Sequence, residues 1–178
     1  IEILKRTLAQ PMVAEVIVVD DKSTDNSLKL IQNFQDSRVK IIANEKNLGK
    51  GASIWKGIQK ATQDIVGIQD ADLEYDPEEY NILLKPLLDG FADVVYGSRF
   101  MGGNPHRILF FWHSIGNRWL TTASNMMTNL NLTDMETCYK IFKREIIQSI
   151  KLKEKRFGFE PEVTAKISRV PKIRIYEV

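Results

Sequence analysis

Asp64-Ile65-Val66-Gly67-Ile68-Gln69-Asp70-Ala71-Asp72-Leu73-Glu74-Tyr75 joins a short apolar run to three acids at alternate positions. The run at 65–68 is short, β-rich and bounded, which predicts a buried strand. If the chain stays extended past it, the period of two puts Asp70, Asp72 and Glu74 on one side. Three converging carboxylates with no basic residue between them repel one another. A hard divalent ion with oxygen ligands is the simplest offset. The C-terminal end of a strand is also where open α/β sheets place their ligands. A solvated acidic turn is the competing reading of so short a motif.

Working outward, the flanks repeat one pattern. Residues 1–10 read as a helix with Ile1, Leu4 and Leu8 on one face and Pro11 as its stop. Residues 13–19 read as a buried parallel strand ending in Asp20-Asp21. A helix follows with Leu28, Ile31 and Phe34 as its apolar face, capped by Ser23, Thr24 or Asp25. Then come a strand at 39–42, a loop at 44–51 and a helix at 52–62. After the opening stretch, Asp76-Pro77-Glu78-Glu79 is a helix start, with a cap, a proline at the first position and a capping box. That helix reaches about Leu88, and a fourth strand covers 93–97. Alternating strands and helices with short connections predict a doubly wound, mainly parallel sheet with helices on both faces. Beyond Gly97 the pattern loosens. A polar loop holds Gly102-Gly103-Asn104-Pro105, and a helix is predicted at 108–129. A strand at 137–142, helices at 143–150 and 161–168, and a strand-like end at 172–178 complete the chain.

At 178 residues the chain is read as a single domain, 1–178. Its 43% hydrophobic and 27% charged residues are ordinary for a globular protein. A net charge of +2 gives no reason to invoke nucleic acid. Cys138 is the lone cysteine, so no internal disulfide forms, which fits a reducing compartment. No apolar run approaches the roughly 20 residues of a membrane span. The chain starts in mid-pattern without an initiator Met, and the expectation is a fragment of a longer protein.

Several residues carry candidate chemistry. An acid at the end of the first strand, Asp20 or Asp21, can accept hydrogen bonds from a ribose hydroxyl or a base N–H, or cap a helix. Asn47-Leu48-Gly49-Lys50-Gly51-Ala52-Ser53 lacks Walker A spacing. A helix N-terminus beside Lys50 is either an anion site or a simple glycine-rich turn. From Gly97 to Arg144 the basic residues Arg99, Arg107, Arg118, Lys140, Lys143 and Arg144 stand against only Asp134 and Glu136. Cations around an acidic metal site suit an anionic substrate such as phosphate, with a solvated basic face as the alternative. Arg99 stands out because it follows a strand end directly. Phe110-Phe111-Trp112, with Arg107, His113 and Arg118 nearby, suits a membrane interface, core packing or a dimer contact. His106 and His113 are too isolated to be metal ligands, and Cys138 reads as a buried small residue.

Taken in order, Val16 to Asp25, Asn47 to Gly51, Asp70 to Glu74 and Gly97-Ser98-Arg99-Phe100 resemble the family 2 glycosyltransferases of A-type fold. Leu132 to Lys140 and Phe157-Gly158-Phe159-Glu160-Pro161-Glu162 resemble the dolichyl-phosphate mannose synthase branch, which includes bacterial polyprenyl-phosphate sugar synthases. The family's first strand, with its Pro-x-Tyr-Asn-Glu motif, has no counterpart here. The resemblance implies a nucleotide-binding half at 1–97 and an acceptor-binding half at 98–178. It implies an inverting, metal-dependent transferase that moves a hexose from a GDP-mannose or UDP-glucose type donor to a polyprenyl phosphate, with Mg²⁺ or Mn²⁺ as cofactor. Asp20 and Asp21 would hold the nucleoside. Asp70, Asp72 and Glu74 would form the metal and donor-diphosphate site, with Asp72 and Glu74 favoured as the metal ligands and Asp70 facing the nucleotide sugar, and Lys50 would stand beside the donor. Arg99 would bind phosphate, joined on the acceptor side by Arg118 and Lys140. Asp134 would orient the acceptor or act as base. The implied setting is cytoplasmic, at the cytoplasmic face of a membrane, with peripheral contact to its surface, no nucleic acid, and a homo-oligomer as an open arrangement. Three alternatives stand beside this: a saccharide acceptor with Asp134 as a true base, a sugar nucleotidyltransferase, and a truncated, non-catalytic nucleotide-sugar-binding domain.

Overall fold

β1 (Val16–Asp20) and β2 (Val39–Ala43) pair in parallel, Val16 opposite Val39 through to Asp20 opposite Ala43. They form a two-stranded sheet of their own in the computed structural model, which describes residues 1–101, 110–156 and 158–178. The predicted loop at 102–105, His106, Arg107, the predicted helix start at Ile108, and Phe157 lie outside the described residues. A second sheet has the order β3-β5-β4-β6, from β3 (Ile65–Gly67), β4 (Val94–Tyr96), β5 (Lys140–Lys143) and β6 (Ile175–Glu177). β4 and β6 are parallel, while β5 runs against both β3 and β4. The helices are α1 (Glu2–Ala9), α2 (Ser27–Gln32), α3 (Lys50–Lys60), α4 (Tyr80–Leu88), α5 (Phe111–Thr128), α6 (Arg144–Ser149) and α7 (Phe159–Ile167). The architecture is the doubly wound α/β fold, with one strand reversed and the sheet in two pieces.

Burial follows that division. Val94, Val95 and Tyr96 of β4 have no exposed surface, and neither do Phe142, Ile147, Val163 and Ile167 around them. Each such side chain contributes about 1.5 to 3 kcal/mol relative to exposure. β1 has equally apolar residues, yet Val16 to Val19 are only half-buried. The reason is pairing: among the described residues β1 has β2 on one edge and no strand on the other. α3 spans the division. A Cβ on Gly57 would stand 3.3 Å from Val19 Cγ2 of β1, while the next residue, Ile58, lies in the larger core. Gln148 of α6 donates its side-chain amide to the Ile58 and Ala61 carbonyls, tying the end of α3 to the larger sheet.

Several predicted elements change in detail. The strand of the opening stretch stops at Gly67, and residues 71–75 bend. The Glu74 N–H turns back onto Asp72 Oδ1 at 2.9 Å, so the three acids do not lie along one extended face. A short acidic side chain that binds its own backbone two residues on favours a turn over a strand. Asp76 does cap the next helix, accepting from Glu78 N–H, but the first turn, Pro77–Glu79, is 3₁₀ before α4 begins. α2 has no fully buried residue, because the small β1–β2 sheet offers it little to pack against. Among the described residues no helix is long and apolar enough to cross a membrane.

Candidate functional site

β1, β3 and β4 deliver their C-terminal ends to the predicted acids and to Arg99. Because β5 is antiparallel, its beginning arrives at the same edge as the ends of β3 and β4. That reversal brings 134–139 beside residues 68–75 and 97–99. The Gly97 N–H bonds Tyr139 O at 2.8 Å, and Ile68 N–H bonds Lys140 O at 3.1 Å. A Cβ on Gly97 would lie 2.8 Å from Leu83 Cδ2 and 2.9 Å from Tyr139 Cβ, so only glycine lets the chain turn toward Arg99 there. Tyr75 and Tyr139 pack with ring centroids 4.5 Å apart beneath the acidic turn. The Tyr75 hydroxyl accepts the Cys138 N–H, fixing the turn to the strand behind it.

In the turn itself, Asp70 is half-buried and Asp72 exposed. Lys50, from the first turn of α3, sets its Nζ 3.0 Å from Asp70 Oδ2 and 3.4 Å from Glu160 Oε1. Burial works against that ammonium, but Cys138, Asp70 and Glu160 outweigh it and raise its pKa. The N-terminus of α3 is otherwise filled. Ala52 N–H bonds the Lys155 carbonyl, and a Cβ on Gly49 or Gly51 would run into the backbone oxygens of Lys155 and Glu154. Asp21 is likewise committed. Its carboxylate accepts from Leu48 N–H, Gly49 N–H and Asn44 Nδ2 at 2.7 to 2.9 Å. Burial raises its pKa, but those hydrogen bonds prevail and lower it. Asp20 is 5% exposed and accepts from Ser23 N–H. In this conformation, then, Asp21 fastens β1 to the loop before α3, and Asp20 tightens the turn after β1.

Carboxylate oxygens suit Mg²⁺ and Mn²⁺. Mg²⁺ is commonly held by one or two protein carboxylates, with water and substrate phosphates completing its shell. Among the described residues no three carboxylate, histidine or cysteine side chains converge on a metal position. Asp72, exposed, and Asp70 fit the one-or-two-carboxylate arrangement. Asp70 would have to exchange Lys50 for the ion. Burial works against the Arg99 guanidinium, but Asp134 outweighs it and raises its pKa, with a smaller contribution from the nearby Glu74 charge.

Arg99 and Asp134 form the firmest contact in the site. Arg99 Nε reaches Asp134 Oδ2 at 2.7 Å and Nη2 reaches Oδ1 at 2.9 Å. The Arg99 backbone N–H and Asn117 Nδ2 also donate to this carboxylate. Asp134 is 0% exposed. Burial raises its pKa, but the Arg99 and Asn117 donors more than reverse that and lower it. The loop carrying it is pinned by Glu177 of β6, which accepts the N–H groups of Thr133 and Asp134.

The other two predicted acceptor-phosphate residues, Lys140 and Arg118, sit in different surroundings. Lys140 is fully buried, its ammonium bonded to Thr137 O and 5.1 Å from the Tyr96 ring centre. Burial pushes its pKa down to about 8. A phosphate cannot reach it without displacing core side chains. Arg118 lies exposed on α5 over the Phe100 ring, 5.8 Å from its centre. Sequence reasoning overlooked Glu160, Glu177, Asn117 and Glu136. Glu136 and Glu160 stand in the sequence near other acids, Asp134 and Glu162, and nothing local singles them out; Glu177 depends on β6 reaching the 133–134 loop, which no local pattern announces. Burial, then Glu160, raises the pKa of half-buried Glu136.

The family model described as "Glycosyl transferase family 2" matches residues 1–151. An undecaprenyl-phosphate 4-deoxy-4-formamido-L-arabinose transferase of Proteus mirabilis is 29% identical over 150 residues, covering 83% of this chain and 44% of the relative. A dolichol-phosphate mannosyltransferase of Pyrococcus furiosus is 24% identical over 155 residues, covering 85% and 44%. The chain therefore spans less than half the length of these relatives. Among solved structures, glucosyl-3-phosphoglycerate synthase from Mycobacterium tuberculosis, in complex with Mn²⁺, UDP and glucosyl-3-phosphoglycerate, superposes with a TM-score of 0.73. The identity is 20%, and the match covers 99% of this chain and 63% of that one. The same enzyme with Mg²⁺ and UDP gives a TM-score of 0.71 at 21% identity, covering 99% and 62%.

Proposed function

The chain belongs to glycosyl transferase family 2, and from that premise we propose that it carries catalytic machinery of an inverting hexosyltransferase, with a nucleoside-diphosphate sugar as donor and a polyprenyl phosphate as acceptor. The names of the two curated relatives support a lipid-phosphate acceptor. The observation that carries the reading is the state of Asp134. Wholly buried, bound by both arms of Arg99 and by Asn117, with its pKa lowered, it is poorly suited to take a proton from a sugar hydroxyl. An acceptor that arrives ionised needs no such base. A phosphate monoester has its second pKa near about 6, so it is anionic at neutral pH.

In this mechanism a phosphate oxygen forms its bond to the anomeric carbon while the bond from that carbon to the diphosphate oxygen breaks. Attack opposite the leaving group inverts the carbon. Arg99, held rigid by Asp134, presents guanidinium N–H groups to phosphate. Asp70 and Asp72 would hold Mg²⁺ or Mn²⁺ against the donor diphosphate, and the ion when bound supplies Lewis-acid stabilisation of the leaving nucleotide. Lys50, released from Asp70, is placed to face the same diphosphate.

The test offers GDP-mannose or UDP-glucose with Mn²⁺, with and without polyprenyl phosphate, and reads sugar transfer to lipid. Transfer that requires the lipid phosphate is expected. Equal transfer to a plain saccharide would overturn the acceptor class. A saccharide acceptor remains the second reading because Glu136, with its raised pKa, is a carboxylate suited to act as base. Under that reading Glu136→Gln abolishes turnover; under the first it leaves most of it.

A further inference from the structure

α5 is built inside out. At about 100° per residue, Trp112, Trp119 and Met126 share one stripe, with Ile115 beside it. They are 76%, 70%, 82% and 44% exposed. Asn117, Thr121, Ser124 and Thr128 lie on the opposite side, and the first three are buried. A helix on a globular surface normally does the reverse. The inward polar stripe has assigned partners. Asn117 donates to Asp134, Thr121 Oγ1 accepts the Met135 N–H, and Asn125 holds Leu132 through both its amide atoms. The orientation is therefore fixed by hydrogen bonds at the site, and the outward apolar stripe is a consequence that some other apolar medium must cover.

The helix's charges indicate which medium. Between Phe110 and Thr133 the sequence holds no Asp or Glu. Arg118 and His113 lie at the two borders of the apolar face, as their positions on the helical wheel require. Trp and Phe on one face with basic residues at its margins suit the headgroup boundary of a bilayer, where the rings enter and the cations meet lipid phosphate. A protein partner of this chain's own kind would bring a second Arg118 to the same rim.

We propose that the outward face of α5, through Phe111, Trp112, Ile115, Trp119 and Met126, inserts into the headgroup region of a phospholipid bilayer. This seats the Arg99–Asp134 pair against the membrane surface. The inference agrees with a lipid-phosphate acceptor but rests on the helix alone, and its test needs no catalysis.

The experiment uses the three tryptophans. In a Trp55→Phe background, fluorescence reports Trp112 and Trp119. Vesicles of phosphatidylcholine and phosphatidylglycerol, plain or with bromine-labelled acyl chains, are titrated into the full chain. Expected are flotation with the vesicles, a blue shift and quenching by the bromolipid. Trp119→Glu alone should weaken vesicle affinity at least about tenfold, and Trp112→Glu with Trp119→Glu should abolish flotation while far-UV circular dichroism stays unchanged. No flotation, or flotation without bromolipid quenching, overturns the proposal. So does a concentration-dependent dimer in sedimentation that Trp119→Glu dissolves, which would assign the face to a second copy. Transfer to a short, water-soluble prenyl phosphate tests the acceptor reading separately, so either idea can fail alone.

Discussion

Both oxygens of Asp134 are engaged by donors, and Arg99 owes its fixed direction to them. Asp134→Asn keeps the shape but loses the ion pair. Transfer should fall about 100-fold, with the dissociation constant of the donor nucleotide nearly unchanged in calorimetry. Equal losses in binding and turnover would remove Asp134 from the acceptor side. Asp93 tells a different story at the far end of β4. It pairs with Lys143 at 2.8 Å and with Arg174 at 2.7 Å, and hydrogen bonding to Arg174 outweighs burial to drive its pKa far down. A depressed carboxylate stabilises the fold fully above its unfolded value, about pH 4, and loses that contribution as pH falls below it. Asp93→Asn should cost about 2 to 3 kcal/mol in urea unfolding at pH 7, and the gap to the parent should narrow by pH 3. That Asp70 and Arg99 follow closely on strand ends was legible, because a strand end announces itself in sequence; that residues 71–75 bend and so part Asp72 and Glu74 from one extended face was not. The sealing of Lys140 was not, since alternation along a strand says which face a residue takes but not how thick the cover above it is.

Among the elements, α3 is the one whose start decides most. Its first turn supplies Lys50, and its N-terminal donors are met by the 154–156 backbone instead of by a ligand. The sequence left an anion site and a glycine-rich turn open there, and the structure adds that the two glycines serve close approach by another segment. Gly51→Ala would put a methyl 2.6 Å from the Glu154 carbonyl, in a helix where alanine is otherwise preferred. Destabilisation of about 1 to 3 kcal/mol is expected, seen as a lower urea midpoint, together with weaker donor binding. A neutral or stabilising outcome would show that the 151–156 segment yields readily. α5 was legible as a helix but not as an inverted one. Period and length reveal a helix; which side faces inward depends on Asp134 and Met135, far along the chain.

At the scale of the molecule, the two sheets should differ in how readily they open. β4 and β5 are almost fully buried, whereas β1 is half-buried and, among the described residues, singly paired. In hydrogen exchange, amides of 16–20 and 39–43 should lose protection well before those of 94–96 and 140–143. Uniform protection would mean the small sheet is supported from elsewhere. Metal dependence is also a whole-site property. Asp72→Ala should weaken Mn²⁺-supported nucleotide binding more than about tenfold, with circular dichroism unchanged. The alternation that made the doubly wound fold readable says nothing of strand neighbours, so the division of the sheet had to be seen. That division has a consequence for the chain in a test tube. Val16-Ile17-Val18-Val19, with one edge unpaired among the described residues, is a template on which another molecule's strand can grow. Glu15 before it and Asp20-Asp21 after it act as gatekeepers against that growth. Glu15, whose carboxylate accepts from Lys40 and from the Thr62 N–H, is held as firmly as Asp20 and Asp21, and its exchange for an uncharged residue removes both a flanking charge and those ties, so fibrils should form sooner in a thioflavin assay.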